Sequence, residues 1–368
     1  MRLRRITLQH FRNIAFADLT LDGPRQFFLG TNGQGKTNLL EAAGLVTALR
    51  SFRTGDTRLL IAHGQHEAAI AFELEHERLG VTRVVITLHT NGKDLTCDGK
   101  HVTRLGDYLG RFPTVVFSAQ DLQLVRGAPS PRRRWLDLTL AAMDADYLTA
   151  LQTYHRALAE RNSLLKLGRP DDELAAFEPP LATAAATLAT KRAAGAVELA
   201  AHFATAYLKL SDGAETPALR HAPDLSADDA LAWATVFAKN RGRDRQYRTT
   251  VAGPHRDDLE LTLDGRAARD FGSEGQQRGL MLALRLAQAQ FFRARSGVEP
   301  VLLADDMLGE LDSARRRRFW TAVGTERQIL ATSTQPPDSG PADWHKFSVK
   351  AGVFLPAPDD RAQANRPA

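Results

Sequence analysis

At 368 residues, 43% of them hydrophobic and 25% charged, the chain is long enough for two or three domains and has the balance of an ordinary soluble globular protein. No apolar run approaches the roughly 18 residues of a membrane span, and the basic start Met1–Arg5 is followed by His10, Arg12 and Asn13, which spoils it as a signal peptide. The single cysteine, Cys97, excludes an internal disulfide and a zinc site and fits a reducing cytoplasm, while the net charge of +5 permits nucleic-acid binding without requiring it.

Leu3, Ile6, Leu8 and Phe11 alternate imperfectly with polar residues, which predicts a first strand in an antiparallel sheet, and a second strand follows near Ala15 to Leu21. Arg25–Leu29 is short and apolar and suits a buried strand. Next comes Gly30-Thr31-Asn32-Gly33-Gln34-Gly35-Lys36-Thr37, then a helix reaching about Arg50. Strand, glycine loop and helix form the context of a phosphate-binding loop of pattern G-x-x-x-x-G-K-T. The glycines let backbone N–H groups converge on an anion, and the helix N-terminus adds its positive dipole end. Lys36 reaches β- and γ-phosphates, and the Thr37 hydroxyl suits Mg²⁺. The plainer alternative is a chance glycine-rich loop before a helix.

Ser51–Asp56 reads as a polar loop close to the nucleotide. Strand patterns at Ala68–Leu74 and Val81–His89, with hairpin signals at Asn91-Gly92 and Asp98-Gly99, predict a β-meander, and Thr114–Ser118 is another buried strand. From Pro129 the character changes. Arg132–Arg134 open a helical region in which Tyr147, Leu151, Tyr154 and Leu158, and later Leu199, Phe203, Tyr207 and Leu210, repeat at helical spacing. No heptad pattern persists, so a long coiled coil is not expected. The arginine triplet reads either as a nucleotide or DNA contact or as a solvated helix start.

Strand alternation returns at Leu259, Leu261 and Leu263. Ser273-Glu274-Gly275-Gln276 opens a strong helix, as a second anion site or as plain capping by Ser273. Val301–Asp306 is an apolar strand ending in two carboxylates, where open α/β sheets bind ligands. Asp305 is placed to hold Mg²⁺ and Asp306 to polarise an attacking water; an acidic strand end without metal is the alternative. Gln328–Thr332 is one more strand, and the residues from about Pro356 read as loose.

In this order the motifs resemble the ABC-type ATPases: Walker A at Gly30–Thr37, signature at Ser273–Gln276, Walker B at Val301–Asp306 and D-loop at Gly309–Asp312. The resemblance implies an ATP-bound head-to-tail dimer in which Ser273, Gly275, Gln276 and Asp312 meet the nucleotide held by the other copy. Arg5–Asn13, Pro129–Asp137 and Gly253-Pro-His-Arg-Asp-Asp258 narrow the resemblance to the RecF family, over Leu3 to Asp312. The implied fold is α/β. An ABC-type ATPase head, with a mixed P-loop sheet and an antiparallel β-subdomain, comprises residues 1–130 and 246–355. An inserted helical lobe takes 131–245, and 356–368 form a flexible tail.

The implied function is ATP-dependent DNA binding in recombinational repair, with slow hydrolysis by Lys36 and Asp306. The implied partners are ATP, Mg²⁺, gapped duplex DNA, RecR and RecO. The chain departs from the wider ABC pattern at two places. Asp306 stands where glutamate is usual, and Thr332-Ser333-Thr334 occupy the region of the switch histidine. Gln120, with Asp121 beside it, is the candidate for the metal-touching Q-loop. Gly253–Asp258 reads either as a DNA or nucleotide contact through His255 and Arg256, or as a rigid turn at Gly253-Pro254 with a structural ion pair over Arg256–Asp258. A transporter-type ABC subunit, an SMC-like tether and a P-loop metabolite kinase are the competing classes.

Overall fold

The computed structural model describes residues 1–211, 213, 215–307, 309, 311–336 and 344–357. The chain opens with β1 (Arg2–Phe11) and β2 (Ile14–Thr20), and β3 (Arg25–Leu29) leads through the glycine loop into α1 (Lys36–Ala48). Then come β4 (Glu67–His76), β5 (Gly80–His89), β6 (Gly92–Cys97), β7 (Lys100–His101) and β8 (Thr114–Ser118). The middle of the chain is α2 (Leu122–Arg126), α3 (Pro129–Ala141), α4 (Ala145–Lys166), α5 (Asp171–Leu210), β9 (Pro217–Ala222) and α6 (Ala230–Tyr247). After it run β10 (Asp258–Leu263), β11 (Arg266–Ala267), α7 (Ala268–Phe271), α8 (Glu274–Ser296), β12 (Val301–Asp305), α9 (Ser313–Val323), β13 (Ile329–Ser333), β14 (His345–Lys350) and β15 (Val353–Pro356). The chain divides into two compact units: residues 1–121, 209–211 and 284–368, and residues 122–208 and 212–283.

The first unit holds two six-stranded sheets, ordered β2-β1-β4-β5-β6-β7 and β15-β14-β3-β13-β12-β8. The first sheet is antiparallel throughout, and its register follows from its alternation. Ile6, Leu8, Ile70, Phe72, Val84 and Ile86 are all buried, with Ile6 opposite Phe72, Leu8 opposite Ile70 and Phe72 opposite Val84. A slip of one residue would turn each of these side chains to the other face. They join Leu39, Leu40, Leu45 and Val46 of α1 and Leu303 and Leu330 of the second sheet in one apolar cluster.

The second sheet is parallel from β14 to β8, with β15 returning antiparallel at its edge. Its strands are short and apolar because both faces are covered. Asp305 lies beside Thr332 and Ser118, and Ser333 lies beside Leu29. The glycine loop, the two aspartates and the end of β13 therefore share one edge, the carboxyl ends of the parallel strands.

The second unit carries helices and a small antiparallel sheet, β11-β10-β9. The expected stripe Tyr147, Leu151, Tyr154 and Leu158 is buried on α4. The predicted α/β class, with mixed and antiparallel sheets and an inserted helical lobe, matches what is observed. Two features differ from the sequence expectation. β9 puts a strand inside the segment read as helical, and α5 runs 40 residues, straight through Pro179 and Pro180. A continuous seam holds α5 in place: Leu174, Glu178, Leu181, Ala185, Leu188, Arg192, Ala196, Leu199, Phe203 and Ala206 are all buried. Glu178 and Arg192 are charged and three other positions are alanine, so the spacing of three and four does not read as a hydrophobic heptad. Residues 358–368, most of the expected tail, lie outside the described residues.

Candidate nucleotide-binding site

The glycine loop is shaped by close approaches. A Cβ at Gly30 would stand 2.4 Å from the Val349 carbonyl oxygen of β14, and Gly35 has a φ of 113° with the Asn13 amide 3.0 Å from where its Cβ would be. Only glycine fits both places. The turn Ala351-Gly352 holds the loop from outside: the Ala351 N–H donates to Gln34 Oε1 at 2.7 Å and the Gly352 N–H to Gln34 O at 2.8 Å. Asn13 donates to Gly33 O at 3.3 Å and accepts from Asn38 at 2.8 Å. Thr31, Asn32 and Gly33 are exposed, at the rim of the loop.

No side chain caps the N-terminus of α1, and no acidic residue stands in its first turn. Its orphan N–H groups are left for an anion. Lys36 is 5% exposed, and its ammonium donates to the carbonyls of Gly30 at 2.6 Å and Thr31 at 3.0 Å. Burial lowers its pKa, opposed by the nearby Asp306 and Asp305 carboxylates. A cation held on two neutral carbonyls is ready to exchange them for phosphate oxygens.

Thr37 donates to Asp305 Oδ1 at 2.8 Å, and Thr332 donates to the same oxygen at 3.0 Å. Burial raises the Asp305 pKa; both hydroxyl bonds and Arg53 oppose that rise, and Asp306 adds to it. A buried carboxylate oxygen beside a hydroxyl suits a hard divalent cation with oxygen ligands. Thr37 and Asp305 therefore fit Mg²⁺, with phosphates and water completing its shell. Among the described residues no group of three or more His, Cys, Asp or Glu is placed to hold a metal, and a phosphate-bound Mg²⁺ needs none. Asp306 follows with a φ of 49°, and its N–H donates to Thr332 Oγ1 at 3.0 Å.

A second cluster braces α1. Glu41 is fully buried and accepts two bonds from Arg12, at 2.8 and 2.9 Å, one from Arg53 at 3.1 Å and one from Ser51. Arg53 also donates to Asn38 at 2.8 Å, which ties the loop after α1 to its first turn. Sequence reasoning used Arg12 and Asn13 only as marks of resemblance, met Thr332 only as a hydroxyl in the region of the switch histidine, and missed Glu41 and Arg53 as site residues. The signal for Glu41 was a carboxylate on a helix otherwise buried on that face.

Gln120 is exposed just beyond Ser118, in a short turn after β8, the strand beside Asp305. Asp121 is buried and committed elsewhere: it accepts from the Arg285 guanidinium and from the Ser118 N–H at 2.9 Å. Of the two Q-loop candidates, Gln120 is the one whose side chain faces solvent. Asp312 caps α9, accepting from the Arg315 N–H at 2.8 Å, while Glu310 of the expected D-loop lies outside the described residues.

Ser273 and Gln276 lie in the second unit, at the start of α8. The Ser273 N–H donates to Gln276 Oε1 at 2.7 Å and the Gln276 N–H to Ser273 Oγ at 3.3 Å, a reciprocal capping box. Gln276 Nε2 donates to Glu215 at 2.8 Å. Ser273 and Glu274 are exposed and Gly275 is half-buried, so the helix end is open to a ligand while capped from within.

In the same unit two motifs bind each other. Arg132 makes a two-pronged pair with Asp258, both bonds at 2.8 Å, and Arg133 donates to the Asp257 carbonyl at 2.7 Å. Arg192 joins Asp257 at 2.9 Å to Asp137, also at 2.9 Å. Burial works against the Arg192 charge, but Asp137, Tyr147 and Asp257 outweigh it and hold the guanidinium protonated. His255 meets Tyr154 at 2.7 Å and the Thr250 carbonyl at 2.9 Å. A carbonyl only accepts, so Nε2 carries the proton and Nδ1 accepts from the tyrosine; burial lowers the His255 pKa accordingly. Within Gly253–Asp258 the expected Arg256–Asp258 pair does not form: Asp258 is taken by Arg132, Arg256 is exposed and donates to the Val251 carbonyl at 3.2 Å, and His255 and Asp257 are held by other residues of the unit. Arg134 is the exposed member of the arginine triplet.

Comparison with known proteins places these features in a family. Residues 2–343 match the family model described as RecF/RecN/SMC N terminal domain. The DNA replication and repair protein RecF of Synechococcus sp. (strain JA-3-3Ab) is 38% identical over 97% of this chain and 98% of its own length. RecF of Geobacter metallireducens is 34% identical over 97% and 100%. A solved structure of the recombination mediator protein RecF-ATPrS in the RecFOR pathway superposes with a TM-score of 0.88 at 27% identity, over 97% of this chain and 98% of that one. An Smc head structure, at 16% identity and a TM-score of 0.56, shares the fold.

Proposed function

This chain belongs to the RecF/RecN/SMC N-terminal-domain family, among its RecF members, and from that premise we propose that it is an ATP-switched DNA clamp of recombinational repair. It is a DNA replication and repair protein of RecF type whose phosphate loop binds ATP. The observation that carries the reading is the meeting of Lys36, Thr37 and Asp305 beside an uncapped helix N-terminus.

The N–H groups of Gly33 to Thr37 receive the phosphates, and Lys36 leaves its two loop carbonyls to reach the β- and γ-oxygens. Thr37 and Asp305 would hold Mg²⁺, which would offset the charge of the phosphates, with Gln120 as the further candidate ligand. Asp306 orients a water against the γ-phosphorus; the bond to the β-bridging oxygen breaks, leaving ADP and phosphate. Ser273, Gly275 and Gln276 from a second copy cover the γ-phosphate, and Asp312 stands near that junction. ATP thus assembles a dimer, and hydrolysis releases it. Each copy's signature residues would serve the nucleotide of the other, so a lone copy turns over slowly and DNA stimulates by favouring the dimer.

Exposed arginines and lysines meet duplex DNA near a gap through phosphates, with little sequence preference and strong salt dependence. RecR and RecO act with it to load RecA, and the setting is the cytoplasm. Among the described residues no helix is long and apolar enough to cross a membrane. Binding of a labelled gapped duplex at rising salt tests the DNA assignment: affinity that barely changes between low and physiological salt removes it.

A further inference from the structure

We propose that Thr332 is a positioning residue for the hydrolytic aspartates, acting in the ATPase reading above through the carboxylates and not through the γ-phosphate. Thr332, the last residue but one of β13, is fully buried and in register with Asp305 on the adjacent strand. Its hydroxyl does two things at once. It donates to Asp305 Oδ1 at 3.0 Å and accepts from the Asp306 N–H at 3.0 Å. A hydroxyl has one proton to give, and Asp305 takes it.

The second bond fixes a bend. Asp306 has a φ of 49°, a left-handed conformation that aspartate tolerates better than most residues and that a bonded N–H helps to hold. The Thr332 oxygen is the acceptor that receives the N–H at that bend, and the bend sets where the Asp306 carboxylate starts. The first bond matters once a cation arrives. Thr37 now shares Asp305 Oδ1 with Thr332. A Thr37 oxygen bound to Mg²⁺ through a lone pair would keep its O–H for Asp305, and Thr332 would hold the same carboxylate oxygen from the neighbouring strand. One buried side chain thus aligns the cation-holding carboxylate and the water-orienting residue together, from the strand beside theirs.

Loss of this hydroxyl should misplace Asp306 while sparing the loop that binds ATP. The test compares wild type with T332V, T332A and T332S. It measures kcat, KM, ATP affinity with Mg²⁺, and the ATP-dependent dimer by sedimentation. T332V and T332A should lower kcat about 10- to 100-fold, the scale of small misplacements, with KM and ATP affinity within about twofold. Their ATP dimer should form and outlive that of wild type, because the nucleotide is not cleared. T332S keeps the hydroxyl and should return kcat to within about threefold of wild type.

T332A guards against a folding defect from the extra methyl of valine in a tight site, and melting curves on all three variants report it. Hydroxyl-free variants with wild-type kcat overturn the proposal. So does a raised KM at unchanged kcat, which would mean a phosphate contact, and so does a T332S as slow as T332V, which would mean packing. If wild type itself neither turns over ATP nor dimerises with it, the ATPase reading has failed instead.

Discussion

Arg132 and Asp258 form a two-pronged ion pair with both N···O distances at 2.8 Å, joining the start of α3 to the strand that leads toward the signature helix. The Arg132 side chain is 10% exposed and Asp258 27%, so this arginine is not available to phosphates. Replacing it strands a mostly buried carboxylate. Arg132→Ala should cost about 2–3 kcal/mol of stability, below the range of fully buried pairs because Asp258 is partly wet. Urea unfolding measures the loss. At temperatures where the variant is folded, the salt slope of DNA binding should match wild type; a shallower slope would make Arg132 a DNA contact.

Lys36 fills a buried slot on two carbonyls, and an arginine there keeps the charge but not the point geometry. Lys36→Arg should reduce hydrolysis by about 100-fold, the scale of a lost transition-state donor. Steady-state phosphate release checks it. Wild-type turnover in this variant would remove Lys36 from the mechanism.

Ser273 stands exposed at an open helix end in a unit separate from the phosphate loop. Ser273→Arg should therefore leave ATP binding by the monomer intact and block ATP-dependent dimerisation. Equilibrium dialysis and sedimentation read the two effects separately. A normal ATP dimer in this variant contradicts the signature assignment.

Gly30 has a neighbouring carbonyl where a side chain would stand. Gly30→Ala should strain the loop by about 1–3 kcal/mol and weaken ATP binding to match, which titration with a fluorescent nucleotide would show.

Two histidines, His76 buried and His255 half-buried, predict an acid limit. His255 and His76 both have pKa values lowered by burial from the usual 6.5, and both are held neutral, His76 by accepting the Arg78 and Leu79 N–H groups. Below pH 6.5 the unfolded chain takes up protons that these folded sites refuse. Stability from them is complete above 6.5 and falls as pH drops toward their lower folded values. Urea midpoints should fall from pH 7.5 to pH 5.5, and His255→Gln should flatten that slope; an unchanged slope would place the acid sensitivity elsewhere.

Much of this was legible in the sequence because local patterns and tertiary needs agree. The glycine loop, the alternating β4 and β5, and the apolar β12 ending in Asp305 each carry their own signal. What stayed hidden depends on partners distant in the chain. Arg132 reads as a surface charge until Asp258 is seen against it. Asp121 and Gln120 are adjacent, and only Arg285 tells them apart. β9 contains a proline and few apolar residues, and it is a strand because β10 pairs with it. α5 hides its seam behind Glu178 and Arg192, whose charges are matched only after folding. Thr332 is marked in the sequence only by its place in the switch-histidine region, and its bonds to the two aspartates appear only once β12 lies beside it.

The central claim is that ATP closes two copies around DNA. The most direct measurement follows binding to a labelled gapped duplex, with and without ATP, while sedimentation reports monomer and dimer in the same samples. The account predicts that ATP produces a dimer and tighter DNA binding together, and that Ser273→Arg abolishes both. A wild-type protein whose oligomeric state and DNA affinity are both unchanged by ATP would contradict it.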